Sequence, residues 1–437
     1  MSSGPYDRLY SLPAFLLAGC LLLLQGCASY SHSFEPIDAK LANNDPASAL
    51  TLLDEQGYND RNQLLYLLNK AMLLRMQGEY AASNQAFEAA KKIIQAYSAI
   101  SVTEQSTSFV INDTTITYTG IPLDRVMLHT YEALNYLELG DLNNARVEAL
   151  QVDVLLQRLT QDAPDSALSV DPFARYLAGM IYEELGEDSD AMIAYRKAYE
   201  AYKEHARLYA TTVPDYLKLD LLRLSRRMGL HEEYRNFKKE FGASATHQAD
   251  TSAHNGRVVL FFSNGLAPVK RESSHTIIDP GSGIAVRISL PYYKNRPVPV
   301  AKVRLRVNEI QSESEQVENV TGIARATLQA AMPGITTRAT VRAVTKYQMA
   351  RQAQRQDDLT GLLVNIMNVV TERADTRSWL TLPANIQMAR ISLPAGRYTL
   401  NIELLGQHGA VVDTRQLKDI RVEASKTRYI SYHHTAH

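Results

Sequence analysis

One spacing recurs four times in the first half of this chain and constrains its fold more than any other feature. A glycine is preceded by a helical residue seven positions earlier and followed by marked positions at five, nine and twelve. The copies are Ala71, Gly78, Ser83, Phe87, Ala90, then Ala133, Gly140, Ala145, Ala149, Val152, then Gly179, Gly186, Ala191, Tyr195, Ala198. A fourth and weaker copy is Leu222, Gly229, Tyr234, Lys238, Phe241. The glycine closes one helix in a left-handed cap and lets the next turn back. Small residues before and after it let the two helices approach closely. The later positions face the next helix.

This pattern resembles the tetratricopeptide repeat, a helix pair whose unit is 34 residues. The glycines here lie 62, 46 and 43 residues apart, so the units carry insertions. One insertion reads as a β-hairpin, with Phe109-Val110-Ile111 and Thr115-Ile116-Thr117-Tyr118 flanking Asn112-Asp113-Thr114. Asn44-Asp45-Pro46 marks an earlier helix start. The expectation is a helical solenoid from Ile37 to Gly242, with a concave surface open to partners.

Residues 243–255 are rich in Ser, Thr, Ala, His and Asp and read as a linker between domains. Beyond it the pattern changes to strands. Val258 to Phe262 is a continuous apolar run. Val303, Leu305 and Val307 alternate with Arg304 and Arg306. Further strands read at 284–290, 388–393, 398–404, 410–412, 420–422 and 429–432, and many short strands predict a sandwich. A helical insert interrupts them at about 324–377. Arg338, Arg342 and Lys346 share one of its faces and read as a solvated surface. Its apolar run Leu362 to Val370 is too short to span a bilayer and is expected to dock within the protein. The fold class is therefore α+β and multidomain: a solenoid of tetratricopeptide-like repeats, then a β-sandwich-like domain at 256–437.

The chain has 437 residues and a formal net charge of −1. That total argues against a nucleic-acid binder but hides an asymmetry. Residues 37–242 hold 21 Lys and Arg against 30 Asp and Glu, and residues 243–437 hold 24 against 15. Either each half carries a solvated charged face, or the basic half meets anions: lipid headgroups, glycan, or its own acidic solenoid. No phosphate loop or nucleophile elbow is present. His231-Glu232-Glu233 lacks the second histidine of a zinc protease, since Arg235 stands there. His247, Asp250 and His254 lack a fourth ligand. Tyr432-His433-His434 and His437 read as a frayed end. No catalytic residue, cofactor or metal is expected.

The N-terminus reads as a secretory signal over residues 1–26. A polar stretch with Arg8 precedes an apolar run from Leu9 to Leu24, then Gln25-Gly26-Cys27. The ending resembles a bacterial lipoprotein box. It implies a diacylglycerol-modified and palmitoylated Cys27 as first mature residue. Leu17-Ala18-Gly19-Cys20 is a rival box, but it would leave Leu21 to Leu24 as an apolar stub. Ala28 favours the outer membrane by the same resemblance. Residues 27–36 then read as a tether, reaching about 30 Å when extended.

Over most of its length the chain resembles a family of uncharacterised bacterial outer-membrane lipoproteins with tetratricopeptide-like repeats. The stretches that carry this are Met127 to Val152, Asp171 to Tyr202, Asn264 to Pro268 and Ala374 to Pro383. The resemblance implies an envelope role and supplies no active-site residues. The expectation is a lipid-anchored periplasmic scaffold, not an enzyme, that binds an envelope protein complex. The alternative is lipid or glycan binding by the basic β domain.

Overall fold

The computed structural model describes residues 29–98, 113–162, 171–209, 212–250 and 255–436. The signal segment, Cys20, Cys27 and His437 lie outside them. The described residues open with α1 (Tyr30–Ser33), α2 (Glu35–Ala42) and α3 (Pro46–Gln56). Asp45 caps α3, its carboxylate accepting from Ser48 N at 3.0 Å.

Four helix pairs follow: α4 (Gln63–Met76) with α5 (Tyr80–Ser98), α6 (Pro122–Leu139) with α7 (Leu142–Asp162), α8 (Pro172–Glu184) with α9 (Asp188–Tyr209), and α10 (Asp215–Arg227) with α11 (His231–Asp250). Gly78, Gly140, Gly186 and Gly229 sit between the partners, with φ of 83°, 72°, 76° and 70°. Those are left-handed values that glycine adopts without a Cβ clash. The marked positions are buried in the first three pairs, from Ala71 and Phe87 to Ala191 and Tyr195. In the last pair Tyr234 and Phe241 are half-buried and Lys238 is exposed. This is the weak fourth copy, and it stands where no further pair covers it.

Two four-stranded sheets form a sandwich. The strands are β1 (Gly256–Asn264), β2 (Val269–Ile278), β3 (Ala285–Lys294), β4 (Val300–Val307), β5 (Ile310–Glu313) and β6 (Glu315–Glu318). After helices α12 (Val320–Gln356) and α13 (Asp358–Thr371) come β7 (Asn385–Leu393), β8 (Gly396–Gly406), β9 (Val411–Val422) and β10 (Thr427–His434). One sheet has the order β10-β1-β7-β6 and the other β5-β4-β8-β9, while β2 and β3 form a separate ribbon. β1 pairs parallel with β10 and antiparallel with β7.

The apolar run of β1 is explained by what covers it. Val258, Leu260 and Phe262 point into the sandwich core. Val259 and Phe261 point the other way, into a core shared with the solenoid. Alternate side chains leave a strand on opposite faces, and both faces here are buried. The solenoid therefore wraps the β10-β1-β7-β6 sheet.

Several expectations need correction. Residues 30–36 of the expected tether are helical, and Phe34 and Tyr30 pack on the body. Asn69 Nδ2 donates to the Tyr30 hydroxyl at 3.0 Å. The first arm of the expected hairpin lies outside the described residues; a 3-10 turn (Asp113–Thr115) stands at the expected turn, and the rest of the second arm, to Tyr118, is irregular chain. Helix continues through the expected linker to Asp250, with a break at Gly242 (φ 85°). The insert's helices run from Val320 to Thr371, and the chain from 372 to 384 is irregular. Arg342 and Lys346 are not a solvated surface. Both are buried against Glu372, at 3.2 and 2.8 Å. The end is not frayed: β10 is the edge strand paired parallel with β1, and His433 lies against Tyr131 with ring centroids 6.4 Å apart.

Candidate partner-binding groove

The inner helices of the four pairs are α4, α6, α8 and α10. Each bonds the β domain. Arg390 on β7 makes a two-pronged pair with Asp220 on α10, both contacts at 2.7 Å. Its Nη2 also donates to the Tyr176 hydroxyl on α8 at 3.1 Å. Arg223 donates to Asp220 at 2.9 Å and joins Glu183, which accepts from the Tyr195 hydroxyl at 2.7 Å. Burial alone raises the Asp220 carboxyl, and the Arg390 guanidinium more than reverses this, holding it well below the carboxylate range. On α6, Glu138 accepts from Ser431 N. On α8, Glu184 accepts from Thr427 N at 3.0 Å. On α4, the Asn69 side chain accepts from Thr381 N at 3.1 Å.

Ring contacts fill the spaces between these bonds: Phe173 meets Phe261, and Tyr131 meets Trp379. Trp379 and Thr381 belong to the stretch Ala374 to Pro383, and Phe173 to Asp171 to Tyr202. Two of the stretches that carry the family resemblance thus build the junction. The acidic half meets the basic half here, which is one of the three anions expected for it. The concave surface expected to receive a partner is filled by the chain's own sheet.

The outer helices present the uncovered surface. On α7, Val147 (47% exposed), Leu150 and Val154 form an apolar stripe at spacings of three and four. Clefts flank the stripe. One, of about 390 Å³, lies between α5, α6 and α7 and is lined by Lys91, His129, Glu148 and Arg158, among others. The other, of about 240 Å³, lies between α7, α8 and α9 and is lined by Arg175, Tyr182 and Lys197, among others. An apolar ridge between two charged clefts is a surface that takes an amphipathic segment of another protein.

An ion cluster lies at the floor of the larger cleft. Lys91 Nζ stands 2.7 Å from Glu88, 2.9 Å from Glu132 and 3.1 Å from Glu148. His129 Nδ1 is 2.6 Å from the second Glu148 oxygen. Glu132 has no exposed surface. Burial, then Glu148, push its carboxyl up to about 8, against the pull of Lys91. His129, Glu132 and Glu148 hold ligand atoms within 4.8 Å of one another, close enough for a metal ion. The Lys91 ammonium already lies among their oxygens, in the place a cation would take. Sequence reasoning missed this set. Its signal was His129 and Glu132, three apart on one helix face, and Glu148 comes from the next helix.

Of the residues singled out in sequence, Cys27 lies outside the described residues, as do the side chains of His247 and Asp250, and all of His254. His231 is exposed. No protein-family profile matches the chain, and no curated protein does. Solved structures do match. "MamA RS-1 ArsTM double mutant" is 16% identical, with a TM-score of 0.33, over 51% of this chain and 97% of its own. "MamA 41-end from Desulfovibrio magneticus RS-1" is 16% identical, with a TM-score of 0.31, over 51% and 97%. Aspartyl phosphate phosphatase F from Bacillus subtilis is 11% identical, with a TM-score of 0.34, over 50% and 51%. The likeness falls on the helical half, and at these values it carries no argument about function.

Proposed function

We propose that this chain is a non-catalytic scaffold of the bacterial cell envelope. Lipid at Cys27 anchors it to the periplasmic face of the outer membrane. It holds one protein of an envelope complex on the outer face of its solenoid. The observation that carries this reading is the exposed stripe of Val147, Leu150 and Val154 between two clefts, on a solenoid whose inner face is already filled. The envelope address rests on the resemblance of residues 1–27 to a lipoprotein signal.

The experiment is in-cell photocrosslinking from Leu150, with Val412 on the opposite, β side as the control, followed by mass spectrometry. A defined envelope protein captured from Leu150 and not from Val412 supports the scaffold. The same proteins from both positions sink it. Cys27→Ala is expected to block processing and membrane attachment, and unchanged fractionation would overturn the anchor. A second reading, lipid or glycan binding by the β domain, is favoured by one observation: the apolar helix α13 is uncovered along one side.

A further inference from the structure

Helices α12 and α13 form a hairpin that lies on the β2–β3 ribbon. The packing of this hairpin is settled by polar contacts on its inner side. Lys346 bonds Glu372 and the Thr371 hydroxyl, at 2.8 and 3.2 Å. Asn368 Nδ2 donates to the Lys346 carbonyl at 2.8 Å. At the far end, Tyr347 donates to Asp279 at 2.8 Å and Gln354 to the Ser282 carbonyl at 3.2 Å. The turn between α12 and α13 and the turn between β2 and β3 therefore form one tip.

The outer side of α13 is apolar and bare. Leu359, Leu362, Leu363, Ile366 and Met367 are all exposed, Leu359 by 65%. Their spacing of i, i+3, i+4, i+7 and i+8 makes a continuous stripe along the helix. At the ribbon tip Ile277 and Ile278, which leave β2 on opposite faces, are also 68% and 63% exposed. Monomeric proteins seldom leave such contiguous apolar surface in water. The expectation that residues 362–370 dock within the protein holds only for the inner side, where Val364, Val369 and Val370 are half-buried.

We propose that this face is a second membrane contact, which seats α13 flat in the surface of an anionic phospholipid bilayer. The proposal rests on the lipid-anchor reading. Two observations favour lipid over a second copy of the chain. Helix α12 holds no Asp or Glu in its 37 residues but carries Arg325, Arg338, Arg342, Lys346, Arg351 and Arg355. Arg351 and Arg355 are exposed beside the tip. Arg342 and Lys346 are spent on Glu372, so the bases that anionic headgroups would meet at the tip are Arg351 and Arg355, next to the exposed Asp357 and Asp358. The second observation is where the chain enters the body. Glu35, just after α1, accepts from Arg271 on β2 at 2.8 Å. Arg271 and Ile278 lie on one strand, about 23 Å apart at some 3.3 Å per residue. Only Ala28 and Ser29 separate Cys27 from α1. The point where the chain enters the body and the tip are thus about 23 Å apart along the ribbon, close enough for one bilayer surface to take both. An amphipathic helix in that position buries its apolar face at the headgroup boundary.

The test uses the mature lipidated chain on phosphatidylethanolamine–phosphatidylglycerol vesicles. The only natural cysteines are Cys20 and Cys27, so Leu362→Cys supplies a labelling site for an environment-sensitive fluorophore, with Val412→Cys as the control. The expected result is a blue shift and quenching by spin-labelled lipid at position 362 but not at 412, with both lost in Ile366→Asp. Flotation with a water-exposed probe at 362 overturns the tip contact and leaves the anchor standing. Failure to float overturns both. A blue shift that needs no vesicles and grows with protein concentration assigns the face to a second copy and overturns the proposal.

Discussion

The two faces of the solenoid share one repeat and have opposite fates. On the inner face, Asp220 and Tyr176 are buried under β1 and β7 and bonded to Arg390 and to each other, and Arg223 ties Glu183 to Asp220. On the outer face, Val147 and Leu150 of α7 are open to water. The repeat spacing dictates how the two helices of a pair meet, because small residues and a left-handed glycine act within a pair. It does not dictate which face stays free. That is decided by what else the chain carries, and here the chain carries its own occupant for the concave surface.

The sharpest way to break the comparison is to unlock the inner face. Arg390→Ala strips the two-pronged partner from a buried carboxylate. Removing one member of a buried pair costs about 3–5 kcal/mol. Arg223 still reaches one Asp220 oxygen at 2.9 Å, so the low end, about 3 kcal/mol, is expected. Urea denaturation followed by circular dichroism measures it. A loss indistinguishable from zero would mean that the sheet is not locked to the solenoid.

The next effect lies within a pair. A Cβ on Gly179 would stand 2.4 Å from the Tyr195 ring. The ring is buried and tied to Glu183 through its hydroxyl, so it has nowhere to move. Gly179→Ala gains helix propensity and loses more to overpacking, for a net destabilisation of about 2 kcal/mol. Thermal melting of the variant checks the sign. A more stable variant would show that the Tyr195 ring yields.

Both of these sites were within reach of sequence to different degrees. Gly179 was marked by the repeat spacing, because the need for a small residue where helices touch is local to a pair. Arg390 was not, because its partner Asp220 is 170 positions away and on another element. A shorter separation, 30 and 26 positions, was enough to hide the real state of Arg342 and Lys346. Four-residue spacing put them on one face, but it says nothing of Glu372, which waits on the far side of α13. The strand β2 was missed because Val269–Ile278 is largely exposed beyond its first residues, as an outlying two-stranded ribbon allows, and so lacks an apolar alternation. β1 was legible because burial on both faces writes an unbroken apolar run.

The outer cleft's ion cluster gives an effect of another kind, one that depends on pH. Glu132 is held up to about 8, by burial first and Glu148 second. A carboxyl raised in the folded state binds its proton more tightly there than in the unfolded chain. Its contribution to stability is complete below about 4.5, the unfolded value, and is lost as pH rises through about 8. Glu132→Gln removes this titration. The stability of the natural chain relative to the variant is therefore expected to fall between pH 5 and 8 in paired denaturation curves. A constant difference across that range would show that Lys91 keeps Glu132 charged throughout.

The smallest expected effect on stability belongs to the surface proposed to matter most for function. Leu150→Asp places a charge on an open part of α7, where substitutions change stability by about 0.5 kcal/mol or less. A charge set on the ridge between the two clefts would have to be desolvated by any apolar partner, which costs far more than the fold loses. Leu150→Asp is thus expected to melt like the natural chain and to lose the crosslinked partner. Retention of that partner would move the binding surface elsewhere on the outer helices. Loss of partner together with a large drop in melting temperature would mean that α7 is a structural element whose exposed stripe is incidental. The inner and outer faces would then differ in coverage alone and not in role.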